Sequence, residues 1–427
     1  MKLIQGRVRD YAWGSRSAIP RLFGYGPAED PVAELWMGAH PTAPAFVSDD
    51  PRTRVYVPGA ETVAGREATA GSKTLAGSEP DAQTLDEYIS ADPVRIMGED
   101  AYARHGGELP YLLKVIAPDT PLSLQVHPSR EQAEQGFARE EAAGIARDSR
   151  ERCYPDRNHK PEMVYALTTF DALVGFRSPR RILGVLHGLD TPLSDRLYAL
   201  ISARANADGV RAAFASLLTE ATRPSSSEID EVVAACARRP ASESASPRAD
   251  QIVCRLAQTY PGDPGVVASL LLNPVTLHAG EALFIPAGTV HAYLAGTTIE
   301  IMASSDNVLR AGLTEKHMDI PELLKVVETV AAPPIRIAPE KISPVQSTYY
   351  VPVDDFELSV IELRNSFKAE LVRGYGLRII LCVRGAVDLQ AGGQRVHLNT
   401  GQAAIIDASD GPVSARGAGT IVQADVP

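Results

Sequence analysis

Cysteine is scarce in this 427-residue chain, and Cys153, Cys236, Cys254 and Cys382 stand far apart without forming a CxxC pair. That spacing excludes a disulfide framework and a thiolate zinc site, and fits a reducing cytoplasm. Long apolar runs are missing too. No stretch approaches the roughly 20 residues that span a bilayer. Met1-Lys2-Leu3-Ile4 passes directly into polar Gln5-Gly6-Arg7, so neither membrane insertion nor export is expected. Positive charge is in deficit, 42 Lys and Arg against 53 Asp and Glu, for a net charge of −11. A nucleic-acid surface needs clustered cations to displace counterions from phosphates, so no nucleic-acid partner is expected. An anionic small substrate remains compatible if a pocket concentrates local cations.

The balance of hydrophobic to charged residues is that of an ordinary globular protein, and the length suggests about three domains. From Tyr111 to Phe176, short apolar and β-branched stretches broken by Pro, Asp and Asn read as strands. At Ser178-Pro179 the period changes. A Ser cap followed by Pro opens a segment with Ile182, Val185 and Leu186 on one face, and Val210, Phe214, Leu217 and Leu218 repeat the spacing. Residues 178–272 are therefore expected to form a helical insert. Strand character returns at Val275, and a helix near Pro321 to Val330 precedes the linker Ala332-Pro333-Pro334. Short Gly-punctuated strands after it suggest a small antiparallel barrel or sandwich. The predicted domains are residues 1–177 with 273–331, the insert 178–272, and a C-terminal domain 335–427. Val57 to Gly77 reads as a surface excursion, and Thr84 with Glu87 as a capping box opening a helix.

Three segments carry the chemistry. In Leu122-Ser-Leu-Gln-Val-His-Pro128, alternation puts Ser123, Gln125 and His127 on one face of a strand, where Gln125 and His127 can converge on one ion. The alternative for this stretch is a half-buried strand and nothing more. Gly280-Glu-Ala-Leu-Phe-Ile-Pro286-Ala-Gly288-Thr-Val-His291 follows the second cupin motif. Gly288 permits a tight turn between strands, and His291 is delivered inward at the start of the next. The asparagine often found four positions after that histidine is replaced by Ala295. Asn158-His159-Lys160-Pro161-Glu162-Met163 places a carboxylate just before an apolar strand, as a metal ligand or as a solvated strand end. Gln125, His127, Glu162 and His291 together would carry one formal negative charge and leave zinc net positive.

Gln-Val-His-Pro, Asn-His-Lys-Pro-Glu-Met, Pro-Ala-Gly-Thr-Val-His-Ala-Tyr and Ser305-Asp-Asn-Val-Leu-Arg-Ala-Gly-Leu-Thr314, in that order, resemble the type I mannose-6-phosphate isomerase family of the cupin superfamily. Tyr11-Ala-Trp-Gly-Ser15 and Ala33-Glu-Leu-Trp-Met-Gly-Ala-His-Pro41 match as well. The resemblance implies a mainly β fold: a cupin, jelly-roll β-barrel catalytic domain, an α-helical domain and a degenerate C-terminal cupin-like barrel. It also implies one zinc ion on Gln125, His127, Glu162 and His291, a family active-site arginine at Arg310, and a sugar-phosphate substrate isomerised through an enediol. Such a reaction needs a phosphate anchor, a polarising group and an acid–base group. Arg310, Lys114 and Lys160 are candidates for the first two, with Ser123 among the substrate-binding positions. His159, Glu300 and Asp306 are candidates for proton transfer; Glu300, between Ile299 and Ile301, should face the barrel lumen. His40 and His278 are expected as structural hydrogen-bonders. In the C-terminal domain, Gly401-Gln-Ala-Ala-Ile-Ile-Asp407 starts like the cupin motif but lacks the Pro, Gly and His, so no metal is expected there. A monomeric, cytoplasmic enzyme is the expectation. The rivals are an iron-dependent oxygenase, against which Gln125 argues, and a non-catalytic sugar-binding cupin.

Overall fold

A computed structural model describes residues 1–50, 53, 60 and 82–427; the excursion expected at Val57 to Gly77 lies outside the described residues except at position 60. Three antiparallel sheets organise the described residues. The first has seven strands, in the order Ile335–Ile337, Ala282–Ile285, Glu162–Ala166, Thr298–Ala303, Tyr111–Ile116, Glu34–Met37 and Arg7–Arg9. The second has five, in the order Leu309–Arg310, Gln125–Val126, His291–Ala295, Phe170–Phe176 and Leu272–Leu277. Between these two lies a core of Ile116, Val164, Leu283 and Ile285 from one sheet and Phe170, Ala172, Val174, Val275 and Tyr293 from the other. Among the described residues both strand paths stay open, and the expected cupin, jelly-roll barrel takes the form of two facing sheets.

The third sheet follows the path Glu340–Lys341, Gln346–Tyr349, Glu357–Val372, Val413–Asp425, Arg378–Ala391, Ala403–Ile406, Lys2–Gln5 and Phe46–Ser48, with Gln394–Asn399 alongside Arg378–Ala391. It packs on the back of the seven-stranded sheet. Leu113, Val115, Met163, Ile299 and Ile301 meet Ile379, Leu381, Ile405, Val422 and Ala424 in one core. Strand alternation then decides the rest: with Ile299 and Ile301 turned to this core, Glu300 must face the five-stranded sheet. Segments and sheets do not correspond one to one. Lys2–Gln5 and Phe46–Ser48 pair into the C-terminal sheet, while Ile335–Ile337 pairs with Ala282–Phe284 of the catalytic one.

The insert is helical, from Pro179–Leu186, with Ser178 at its N-cap, through Pro264–Ala268. Val210, Phe214, Leu217 and Leu218 are buried in its core. The helix expected near Pro321 to Val330 runs from Ile320 to Val326 and stops as Val327 turns extended. Thr84 and Glu87 form the expected capping box on Leu85–Ala91, with the Thr84 N–H donating to Glu87 Oε2 at 3.0 Å.

Candidate metal centre

Two sheets deliver the site from opposite sides. On the seven-stranded sheet Lys114 pairs with Glu300, and Met302 with Glu162, with Trp36 next to Lys114. On the five-stranded sheet Gln125 pairs with His291 on one side and with Arg310 on the other. Directly opposed residues of antiparallel strands share a face, so Gln125, His291 and Arg310 stand abreast. Gly288 adopts φ 78°, as the turn requires, and its N–H donates to the His127 carbonyl at 2.8 Å, which ties the two histidine-bearing loops together.

His127, Glu162 and His291 are buried, and their ligand atoms lie within 4.8 Å of one another. Nε2 of His127 is 3.2 Å from Glu162 Oε1, and Nε2 of His291 is 3.2 Å from Glu162 Oε2. The opposite ring nitrogens are both committed: Nδ1 of His127 to the Asn307 carbonyl at 2.7 Å, and Nδ1 of His291 to the Thr289 carbonyl at 3.0 Å. A carbonyl only accepts, so each Nδ1 carries the proton and each Nε2 presents a lone pair. His127 Nε2 accordingly has no hydrogen-bond partner although it is fully buried. Burial, helped by Lys160, pushes His127 down to about 4, so it stays neutral at pH 7. Burial alone would raise the Glu162 carboxyl, but the neighbouring Lys160 ammonium holds it well below the usual range. Two imidazole lone pairs thus converge on a carboxylate, an arrangement that repels itself unless a cation sits among them. Histidines whose far nitrogens are fixed by backbone carbonyls are the donor set a divalent metal takes.

Cations and acids ring this set. Lys160 Nζ is 3.3 Å from Glu162 Oε1. Lys114 Nζ is 3.1 Å from Glu300 Oε2 and 3.8 Å from Glu34 Oε2, and lies 4.9 Å over the Trp36 ring. Burial would lower Lys114, but Glu300 and Glu34 outweigh it and keep the ammonium charged, while burial raises Glu300. Arg310 is half-buried, and among the described residues no carboxylate pairs with it. Ser123 is half-buried on the same alternation as Gln125. His159 and Lys160 diverge: Lys160 joins Glu162, whereas His159 Nε2 contacts Asp355 Oδ2 of the C-terminal segment at 2.8 Å. Asp306 lies 3.5 Å from His40 Nε2, and His40 also contacts Thr42 Oγ1 at 3.0 Å. His40, Asp306, Asn158 and Asp355 line a cleft of about 890 Å³ whose wall includes none of the four proposed ligands. His278 is exposed, and its N–H donates to Glu281.

Sequence reasoning passed over Tyr293, Asn307, Asp355 and Lys316. The first was within reach, because Tyr293 follows His291 by two positions in a strand and shares its face. Lys316 lies close enough for its charge and that of Arg310 to interact, and burial with Arg310 lowers it. Nothing local in Thr314-Glu-Lys316 signals that proximity.

A buried His–Glu–His set held between two antiparallel sheets defines a metal-binding cupin. Family comparison narrows the class. The "Phosphomannose isomerase type I, catalytic domain" family matches residues 1–74 and 46–179, and the "Mannose-6-phosphate isomerase, cupin domain" family matches 346–426. The mannose-6-phosphate isomerase of Escherichia coli K12 is 37% identical over 99% of both chains. The Homo sapiens enzyme is 31% identical over 89% of this chain and 86% of its own length. Among solved structures, mannose 6-phosphate isomerase from Salmonella typhimurium bound to its substrate and a zinc atom superposes with a TM-score of 0.83 at 34% identity, covering 100% of this chain and 99% of that one. The chain belongs to the mannose-6-phosphate isomerase family.

Proposed function

We propose that this chain is a mannose-6-phosphate isomerase, a zinc-dependent aldose–ketose isomerase interconverting mannose 6-phosphate and fructose 6-phosphate. The observation that carries the reading is the buried convergence of His127 and His291 Nε2 on Glu162, in a chain that matches such isomerases over nearly its whole length. His127, Glu162 and His291, with Gln125 beside His291, would hold the zinc. Bound there, the metal supplies a Lewis acid that polarises a sugar oxygen.

The chain's own residues do the rest. Arg310, abreast of Gln125 and His291 and unpaired with any carboxylate among the described residues, presents a free guanidinium to the anionic substrate, and Lys316 adds a second cation. Lys160, beside Glu162, stabilises negative charge developing on the enediol. Ser123, half-buried on the same alternation as Gln125, would border the substrate. Proton transfer between C1 and C2 falls to groups a sugar can reach. The His159 and Asp306 side chains are 21% and 36% exposed, against 3% for Glu300. Asp355 orients the His159 imidazole as a carboxylate orients any catalytic histidine. Glu300, sealed by Lys114 and Tyr293, sets the charge of the wall instead.

No helix among the described residues is long and apolar enough to cross a membrane. The monomer, the cytoplasm and the absence of a nucleic-acid partner are part of the same proposal. Supporting them are a donor set drawn from one chain, four free cysteines, and a net charge of −11. The test is a coupled assay of mannose 6-phosphate conversion before and after chelation with zinc add-back. Activity lost to the chelator and restored by zinc is expected; no turnover by metal-loaded protein overturns the substrate assignment.

A further inference from the structure

Tyr293 is buried, 3% exposed, and its hydroxyl lies 3.1 Å from Glu162 Oε2 and 2.8 Å from Glu300 Oε1. Its ring is set edge-on to Phe170 at 5.2 Å and tilted beside His291 at 5.8 Å, so the hydroxyl has no room to swing away. The far oxygen of Glu300 meets Lys114 at 3.1 Å. An unbroken line of polar contacts therefore runs from Lys114 through Glu300 and Tyr293 to Glu162, and from Glu162 to both histidines. A phenol has one proton and here faces two carboxylates. Where it donates depends on which carboxylate has its charge offset by a neighbouring cation.

We propose that Tyr293 is the positioning residue of the metal centre: its hydroxyl holds the Glu162 carboxylate in place as a ligand and couples it to the buried Glu300–Lys114 pair. This rests on the reading of His127, Glu162 and His291 as metal ligands. A carboxylate on a short side chain rotates freely unless its second oxygen is held, and Oε2 is the oxygen Tyr293 reaches. The ion pair behind Tyr293 anchors that hydroxyl from the other side. Loss of Glu300's charge also leaves Lys114 offset by Glu34 alone, at 3.8 Å, and the excess positive charge opposes a cation at Glu162.

The experiment is zinc affinity, measured on the full chain by competition with a chromophoric chelator, for the unmodified protein, Tyr293→Phe, Glu300→Gln and the double variant. Thermal unfolding of each metal-free protein checks the fold. Tyr293→Phe is expected to weaken zinc binding about 10- to 100-fold, as loss of such outer partners does elsewhere. Glu300→Gln is expected to weaken it severalfold, and by clearly less when Tyr293→Phe is already present, since coupled groups give non-additive effects. Unchanged affinity in Tyr293→Phe overturns the proposal, and equal Glu300→Gln losses in both backgrounds overturn the coupling. Should Tyr293→Phe not fold, Glu300→Gln alone decides, because it leaves Tyr293 and every ligand in place; affinity equal to the unmodified protein's refutes the inference. Failure of the unmodified protein to bind zinc would instead sink the metal-centre reading itself.

Discussion

Glu162 and His127 meet through two acceptors: Oε1 and Nε2 stand 3.2 Å apart, while the His127 proton is spent on the Asn307 carbonyl. Without a metal between them the two acceptors gain nothing from each other, and only Lys160 beside Oε1 offsets the carboxylate. Glu162→Gln is therefore expected to leave the metal-free protein about as stable as before while abolishing its stabilisation by zinc. In the unmodified protein, a hundredfold excess of zinc over Kd adds about 2.7 kcal/mol. Melting curves with and without zinc check this. A full zinc-induced rise in Glu162→Gln would remove Glu162 from the ligand set.

Arg310 and Lys316 should separate from the ligands in the same assay. Arg310→Ala is expected to lower kcat/KM at least about 100-fold with bound zinc unchanged, the size of effect seen when a preorganised charge donor is lost. Lys316→Ala should act more weakly and mainly through KM. Metal analysis alongside steady-state kinetics distinguishes them, and retained turnover in Arg310→Ala would exclude it from the mechanism.

Lys114 answers two buried carboxylates at once, Glu300 and Glu34. Lys114→Met strands both, and breaking a buried pair from one side costs about 3–5 kcal/mol. Chemical denaturation should show that loss. Adding Glu300→Gln to Lys114→Met should recover part of it, whereas a double variant no more stable than the single one would contradict the pairing.

Asp425, 1% exposed in the C-terminal sheet, is pushed up to about 8 by burial. Its folded form holds a proton that the unfolded chain releases near pH 4. Stability contributed at this site is therefore full below about pH 4 and falls as pH rises towards 8, by up to several kcal/mol. Asp425→Asn should flatten that slope in urea denaturation followed from pH 5 to 8. An unchanged slope would show that Asp425 ionises normally.

Much of the site was legible because it follows alternation. Gln125 and His127 share a face by spacing of two, His291 follows a Pro–x–Gly turn, and Glu300 is the polar residue between two isoleucines. The helix Arg130–Ala142 was not anticipated: its buried stripe is Ala133, Gly136, Phe137 and Glu140, with only one large apolar residue to mark the period. Asp355 reaches His159 across a long sequence separation, and no local pattern encodes such a contact. The cupin motif around Gly288 signalled the jelly roll, whereas the edges its two sheets leave open depend on pairing that a turn does not specify.

Lys2–Gln5 lies between Phe46–Ser48 and Ala403–Ile406, with Leu3 opposite Ala404. During synthesis Phe46–Ser48 can pair with Lys2–Gln5 soon after it is made, but the neighbour on the other side, Ala403–Ile406, arrives only much later. Loop closure over such a span is slow, and one edge of Lys2–Gln5 stays open meanwhile. Losing Ala403–Ile406 would thus leave Lys2–Gln5 with Phe46–Ser48 alone, so a lesion late in the sequence would open an edge built from its early residues.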